Sequence, residues 1–199
     1  MSLREIAAAP DEIEDLEVLG RAAAGDEAAV RRLFREHAAR VHRTAARILG
    51  PTDPDVEDVV QQTFLAAMAG AGGFDGRSAV STWLVSIASR RALDAARARW
   101  RRGRFRLVRD WVGQGRPPAR PDTAHANRSE AEAALDVLTA EQRAVFMLHE
   151  VEGHTLKEVS EMTGTGISTL HARLKAARRR LDAVVGESER TGEDDEHGA

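Results

Sequence analysis

Residues 138–181 read LTAEQRAVFMLHEVEGHTLKEVSEMTGTGISTLHARLKAARRRL, and the architecture of the chain is decided in this stretch. Thr139 stands three residues before Gln142, and Thr155 three before Glu158. At that spacing the hydroxyl accepts from a backbone N–H in the first helical turn, while the amide or carboxylate reaches back to the cap N–H. Two helix starts are therefore marked. Gly164 and Gly166 bracket a short turn, and a last helix is predicted from Ile167 to about Val185. Leu156, Val159 and Met162 share one face of the helix before the turn, and Ile167, Leu170 and Leu174 can pack against them from the helix after it. Two short helices, a tight turn and an arginine-rich second helix make a helix-turn-helix unit, which places its second helix in a DNA major groove. Ser168, Thr169, His171, Ala172, Arg173 and Lys175 occupy the exposed start of that helix, from which base edges and flanking phosphates are reached. Arg178, Arg179 and Arg180 lie further along and suit backbone phosphates. A hairpin whose charged face is only solvated would need neither the paired caps nor the basic second helix.

Upstream, STWLVSIASRRALDAARARWRRGR (residues 81–104) carries a second run of arginines, including Arg90, Arg91 and Arg97, around the single Asp94. Before it come a glycine-rich loop and Phe74. Phe74 or Trp83 could stack on an unpaired base while the arginines hold the backbone; equally, Trp83 fits a core position at helical spacing. Val80, Leu84, Ile87 and Ala88 are expected to face inward, and Ser78 to cap the helix. Two further helices precede this one. Asp26 after Gly25 is a plausible cap for the first, in which Val30, Leu33, Phe34, Val41, Ala45, Ile48 and Leu49 recur at helical spacing until Gly50-Pro51. Asp53-Pro54 reads as cap and first position of the second. Val56, Val59, Val60, Phe64, Ala67 and Met68 line its apolar stripe, and Asp55, Asp58, Gln61 and Gln62 its other face. That acidic and amide face repels DNA and suits a basic protein partner, although a merely solvated face has the same pattern.

The fold expected is all-α, with two small helical domains over 14–102 and 129–185 joined by a flexible linker at 103–127. The linker lacks periodicity and holds Gly113, Gly115, Pro117, Pro118 and Pro121. Residues 187–199 read as an acidic, disordered tail. The formal net charge of −3 hides the distribution: without residues 1–20 and 187–199, 27 basic and 20 acidic residues remain. A basic body with acidic ends suits a polyanion-binding protein. With Cys 0 in the sequence, disulfides and thiolate metal sites are excluded, which fits a reducing cytoplasm. No apolar stretch reaches the ~20 residues that span a bilayer, and the acidic N-terminus is unlike a signal peptide. Enzyme patterns fail as well. His149-Glu150 and His154 imitate a zinc-protease motif, but the second histidine is five residues on rather than four and would not share the helical face. His37 and His42 are expected as interior or interface side chains. No catalytic residue, metal ligand set or cofactor is expected.

In order and spacing the segments resemble the extracytoplasmic-function (ECF) group of bacterial RNA polymerase sigma factors over about residues 17–185. GDEAAVRRLFREH (25–37) is similar to the first part of sigma domain 2, and DVEDVVQQTFLAAM (55–68) to its polymerase-binding helix. FDGRSAVSTWLVSIASRRALD (74–94) is similar to the promoter-melting and −10-recognition segment, and the opening stretch to sigma domain 4. The resemblance implies a non-catalytic protein that directs core polymerase to promoters from the cytoplasm. It implies that Asp55, Asp58, Gln61, Gln62 and Phe64 dock on the β′ clamp helices. Phe74, Arg77, Ser78, Trp83, Arg90, Arg91 and Arg97 would hold the unpaired −10 strand. Ser168, Thr169, His171, Arg173, Lys175 and Arg178 would read the −35 duplex, with the β flap touching domain 4. An anti-sigma factor is a partner the family often has. Gln62 replaces a common acid, Arg90 a frequent asparagine, and His171 a more usual basic residue. A free-standing helix-turn-helix regulator is the alternative from another class; tight binding of the isolated chain to closed duplex would favour it.

Overall fold

In the computed structural model the backbone is described for residues 10–113 and 134–196, and the side chains for 14–102 and 134–184. The described residues are helices and turns without a strand. They divide into two compact units, Met1–Ala95 and Ala96–Ala199.

The first unit opens with α1 (Pro10–Ala23), which buries Val18, Leu19 and Ala22. Gly25, at φ 89°, turns the chain into α2 (Glu27–Leu49). Asp26 caps α2 as its sequence position foretells: its Oδ1 accepts from the N–H groups of Ala28 at 2.9 Å and Ala29 at 3.2 Å. The Arg21 guanidinium donates to Asp26 Oδ2 at 2.9 and 2.6 Å. Those bonds, then the Ala29 N–H, hold the Asp26 carboxyl below its usual range. Gly50, at φ 116°, ends α2 in a conformation that side-chain-bearing residues avoid.

Helix α3 (Val56–Gly70) starts two residues later than the Asp-Pro signal suggests. Asp53 Oδ1 accepts from the Asp55 N–H at 2.9 Å, and the Val56 N–H donates to Asp53 O at 3.2 Å. Asp53 thus organises a turn before the helix instead of capping it, because its short side chain competes for nearby N–H groups. A single tight turn, Ala71–Gly73, follows α3. Helix α4 then runs from Val80 to Gly113. Its first residue lies beyond Ser78, and the Ala79 carbonyl accepts from the Trp83 N–H at 3.1 Å. Val80, Leu84 and Ala88 join Leu33, Val41, Val60, Phe64 and Ala67 in one core, with Trp83 and Ile87 packed at its margin. Burying a leucine such as Leu84 contributes about 1.5–3 kcal/mol.

Helix α4 continues some ten residues into the segment expected as linker. Between Gly103 and Gly113 there is no proline, and Arg, Leu and Val dominate, so nothing locally stops the helix. The proline-bearing part of that linker lies outside the described residues.

In the second unit α5 (Ala140–Phe146) passes directly into a wider turn, Met147–Val151, in which the Glu152 N–H donates five residues back to Met147 O at 2.9 Å. Helix α6 (Leu156–Thr163) and α7 (Ile167–Glu196) complete it. Both capping boxes are formed, and Gly164 ends α6 at φ 66°, in the left-handed region. Val159, Met162, Leu170 and Leu174 are buried together with Val145, Leu148 and Ala177. Ile167, expected in this core, is 45% exposed instead, because it is the first residue of α7 and points away before the helix closes on α6. Helix α7 runs to Glu196, through Gly186 and most of the stretch expected as a disordered acidic tail.

Candidate nucleic-acid and polymerase interface

The surfaces named from sequence can now be placed. On α3, Asp58, Gln61 and Gln62 are exposed and Asp55 is half-buried. Phe64 is not on that face. It is 7% exposed, part of the core, and its ring lies 4.9 Å from that of Phe34. Phe34 on α2 and Leu65 on α3 are instead among the apolar side chains left in the open, at 48% and 55% exposure. A rim of amides and carboxylates around exposed apolar groups is the composition of a protein-binding surface. Sequence periodicity put Phe34 inside, because one position on a broad apolar stripe is not separable from its neighbours by spacing alone.

The loop between α3 and α4 is held by Asp75. Its carboxylate accepts from the Arg77 N–H at 3.1 Å and pairs with Arg77 Nε at 2.5 Å. The backbone N–H of Arg77 is the main reason that the Asp75 carboxyl stays below its ordinary range. Phe74 and Trp83 pack ring on ring, with centroids 4.8 Å apart and a 35° tilt. Trp83 is half-buried and packs against the margin of the core. Ser78, Arg77, Arg90 and Arg91 are exposed. Trp83 and Arg90 are seven residues apart on α4 and so lie on one face, about 10 Å apart along the axis. Arg97 is half-buried and falls in the second unit.

On α7 the exposed side chains are Ser168, Thr169, His171, Ala172 and Lys175, with Arg173 half-buried. His171, Ala172, Lys175 and Arg178 line an open groove along the helix. The basic end of α7 also has an internal role that sequence spacing did not reveal. The Arg178 guanidinium donates to Glu150 through Nε at 3.1 Å and through Nη2 as well. Arg180 Nη1 donates to Gln142 Oε1 at 2.7 Å and to Val137 O at 3.3 Å. Gln142 Oε1 accepts at the same time from the Thr139 N–H, closing the capping box. Two arginines thus fasten α7 to α5 and the turn after it, from sequence separations that only the fold brings together. Arg143 does similar work unannounced: buried at 6% exposure, it donates to Leu135 O at 2.7 Å and to Asp136 Oδ1 at 3.1 Å. An arginine amid helix-forming residues carries no signal of burial.

His149 Nδ1 lies 2.6 Å from the His154 carbonyl oxygen, so one ring nitrogen is committed to closing the turn around Gly153. The protease-like motif is a loop clasp. His42 is half-exposed, with Nε2 3.4 Å from Glu57 on α3. No described helix is long and apolar enough to cross a membrane.

Comparison with known proteins agrees with this layout. The Sigma-70 region 2 family model matches residues 33–102, and the Sigma-70, region 4 model matches residues 128–181. The ECF RNA polymerase sigma factor SigM of Mycobacterium tuberculosis is 33% identical over 175 residues, covering 88% of this chain and 86% of its own. SigE of Mycolicibacterium smegmatis is 33% identical over 173 residues, covering 80% of this chain and 63% of its own. Among solved structures, CnrH in complex with the cytosolic domain of CnrY aligns at a TM-score of 0.54 and 25% identity, covering 87% of this chain and 97% of that one. The sigma factor RpoE of Bartonella quintana, in complex with the anti-sigma factor NepR, has the same fold at a TM-score of 0.53 and 22% identity, over 78% of this chain and 96% of its own. Two matched regions in sigma-factor order, on the two helical units built above, identify the family: the chain belongs to the ECF group of RNA polymerase sigma factors.

Proposed function

We propose that the two units divide promoter recognition between them, with core RNA polymerase as the scaffold and without chemistry of the chain's own. The α3 face of Asp55, Asp58, Gln61 and Gln62, enlarged by the exposed Phe34 and Leu65, docks on the β′ clamp helices. Phe64 supports this face from beneath. The loop of Phe74, Arg77 and Ser78, with Trp83, Arg90, Arg91 and Arg97 on α4, holds the unpaired non-template strand at the −10 element. Unstacking a base costs a few kcal/mol, which aromatic and guanidinium contacts offset. Ser168, Thr169, His171, Arg173, Lys175 and Arg178 face the −35 duplex, and the β flap meets the same unit. An anti-sigma protein that covered these faces would hold the chain off polymerase in the cytoplasm; CnrH, similar in fold, is found in complex with the cytosolic domain of CnrY.

The observation that carries the reading is the Phe74–Trp83 ring pair beside exposed arginines, at the end of a helix whose neighbour bears a protein-binding face. A free-standing duplex-binding regulator accounts for the C-terminal unit but has no use for a region 2 match over residues 33–102. The test is Trp83→Ala in reconstituted holoenzyme on a cognate promoter. Polymerase binding is expected to stay within twofold of wild type, while permanganate-reactive open complex falls at least tenfold. Equal losses of both would assign Trp83 to core packing alone, and tight closed-duplex binding by the isolated chain would sink the reading.

A further inference from the structure

One group of side chains, assigned no role so far, is arranged as ligands. His37 on α2 is 7% exposed, and its Nε2 is buried without a hydrogen-bond partner. Facing it from α1 is Asp15 Oδ2 at 3.5 Å, past the length of an ordinary N–H···O bond. Glu36 supplies a third donor, and one atom from each of the three residues falls within 4.8 Å of the others. Buried polar nitrogens in native folds find partners, so an imidazole nitrogen that faces a carboxylate at 3.5 Å and makes no hydrogen bond calls for an explanation.

A metal ion supplies one. Two ligands of a tetrahedral zinc at 2.0–2.1 Å are separated by about 3.3 Å, near the His37–Asp15 distance. One imidazole and two carboxylates make a donor set for zinc or a neighbouring first-row ion, whereas magnesium and calcium favour all-oxygen sites. Two carboxylates also balance the charge of a divalent cation beside a neutral imidazole. Arg32 provides the outer support that ligating carboxylates generally receive: its guanidinium holds Glu36 Oε1 at 2.8 Å and Glu14 at 2.6 Å, orienting Glu36 from the solvent side. We propose that Asp15, Glu36 and His37 form a zinc-class divalent metal site that ties α1 to α2, with a fourth position open to water. Sequence spacing gave no sign of it, because the ligands come from two helices and Glu36 and His37 are adjacent rather than one turn apart.

The experiment is titration of the chelator-stripped full chain with zinc chloride against a chromophoric competitor, beside Asp15→Asn, Glu36→Gln and His37→Gln. Wild type is expected to take up one zinc equivalent more tightly, by tenfold or more, than any of the three variants. Cobalt substitution should give a visible ligand-field band that His37→Gln abolishes, and zinc should raise the melting temperature of wild type but not of Asp15→Asn. Asp15 and Glu36 are partly exposed, so their variants are expected to fold; circular dichroism verifies it. Identical zinc stoichiometry and affinity in wild type, Asp15→Asn and His37→Gln would place the metal on other histidines of the seven and overturn the site. So would a His37 Nε2 proton, seen by nitrogen-15 NMR, that persists at saturating zinc, since that nitrogen could not then hold the metal.

Discussion

Glu158 shows how much a single side chain organises. Its Oε2 accepts from the Thr155 N–H at 2.7 Å and the Thr155 hydroxyl at 2.8 Å, and the Glu158 N–H returns a bond to Thr155 Oγ1 at 3.2 Å. The Thr155 backbone N–H is the leading reason that the Glu158 carboxyl is held below its ordinary value. A carboxyl depressed in the folded state stabilises the fold at any pH above its unfolded value, and that contribution is lost as pH falls through the folded value. Glu158→Gln should therefore lower the melting temperature of the C-terminal unit at neutral pH. The gap to wild type should close as the solution is acidified through and below the ordinary carboxylate range. A gap that stayed constant down that range would mean that the carboxylate charge adds nothing to the capping box. This box was legible in the sequence because its partners are three residues apart. The bonds of Arg143 to Leu135 and Asp136, and of Arg180 to Gln142, were not, since they depend on how the chain folds back and no local pattern records that.

Among the elements, α7 has two duties that compete for the same cations. Its leading residues form the proposed reading surface, while Arg178 and Arg180 fasten it to α5 and the turn beyond. The Arg178–Glu150 pair is partly exposed, at 55% and 31%, so its coupling belongs in the range of about 0.2–1 kcal/mol. A double-mutant cycle on stability tests that figure. Binding of holoenzyme to −35 DNA gives a second readout. Glu150→Ala, which frees the guanidinium, should hold or raise affinity, and Arg178→Ala should lower it and reduce the salt slope by about one. If both variants lowered affinity alike, Arg178 would be a fastening and not a phosphate contact. Helix boundaries follow the same logic of legibility. Asp26, Gly50, Thr139, Thr155 and Gly164 each act within a few residues of themselves and were readable from spacing. The late start of α3 and the five-residue hydrogen bond after Phe146 were not, because turn chemistry and tertiary closure decided them. Phe34 and Ile167 sat on apolar stripes yet point outward, which periodicity cannot resolve at a stripe's edge.

For the whole molecule, charge is distributed as a basic body between acidic ends, and α7 continues helically to Glu196 through much of the acidic stretch. Carboxylates on the same chain as a polyanion-binding surface oppose DNA phosphates at low ionic strength and are screened beyond about 10 Å at 0.1 M salt. Deleting residues 187–199 should raise non-specific DNA affinity severalfold at low salt, with the difference shrinking as salt is added; coincident binding curves would discard this screening role. The two arginine anchors on α7 also carry a consequence for promoter choice. A helix fastened at its rear rocks less freely to follow a displaced base pair. If the leading tip reads the hexamer as proposed, tolerance for imperfect sites would lean more on rotamer changes there and on bending of the duplex, so that sequence-dependent DNA stiffness would enter promoter choice.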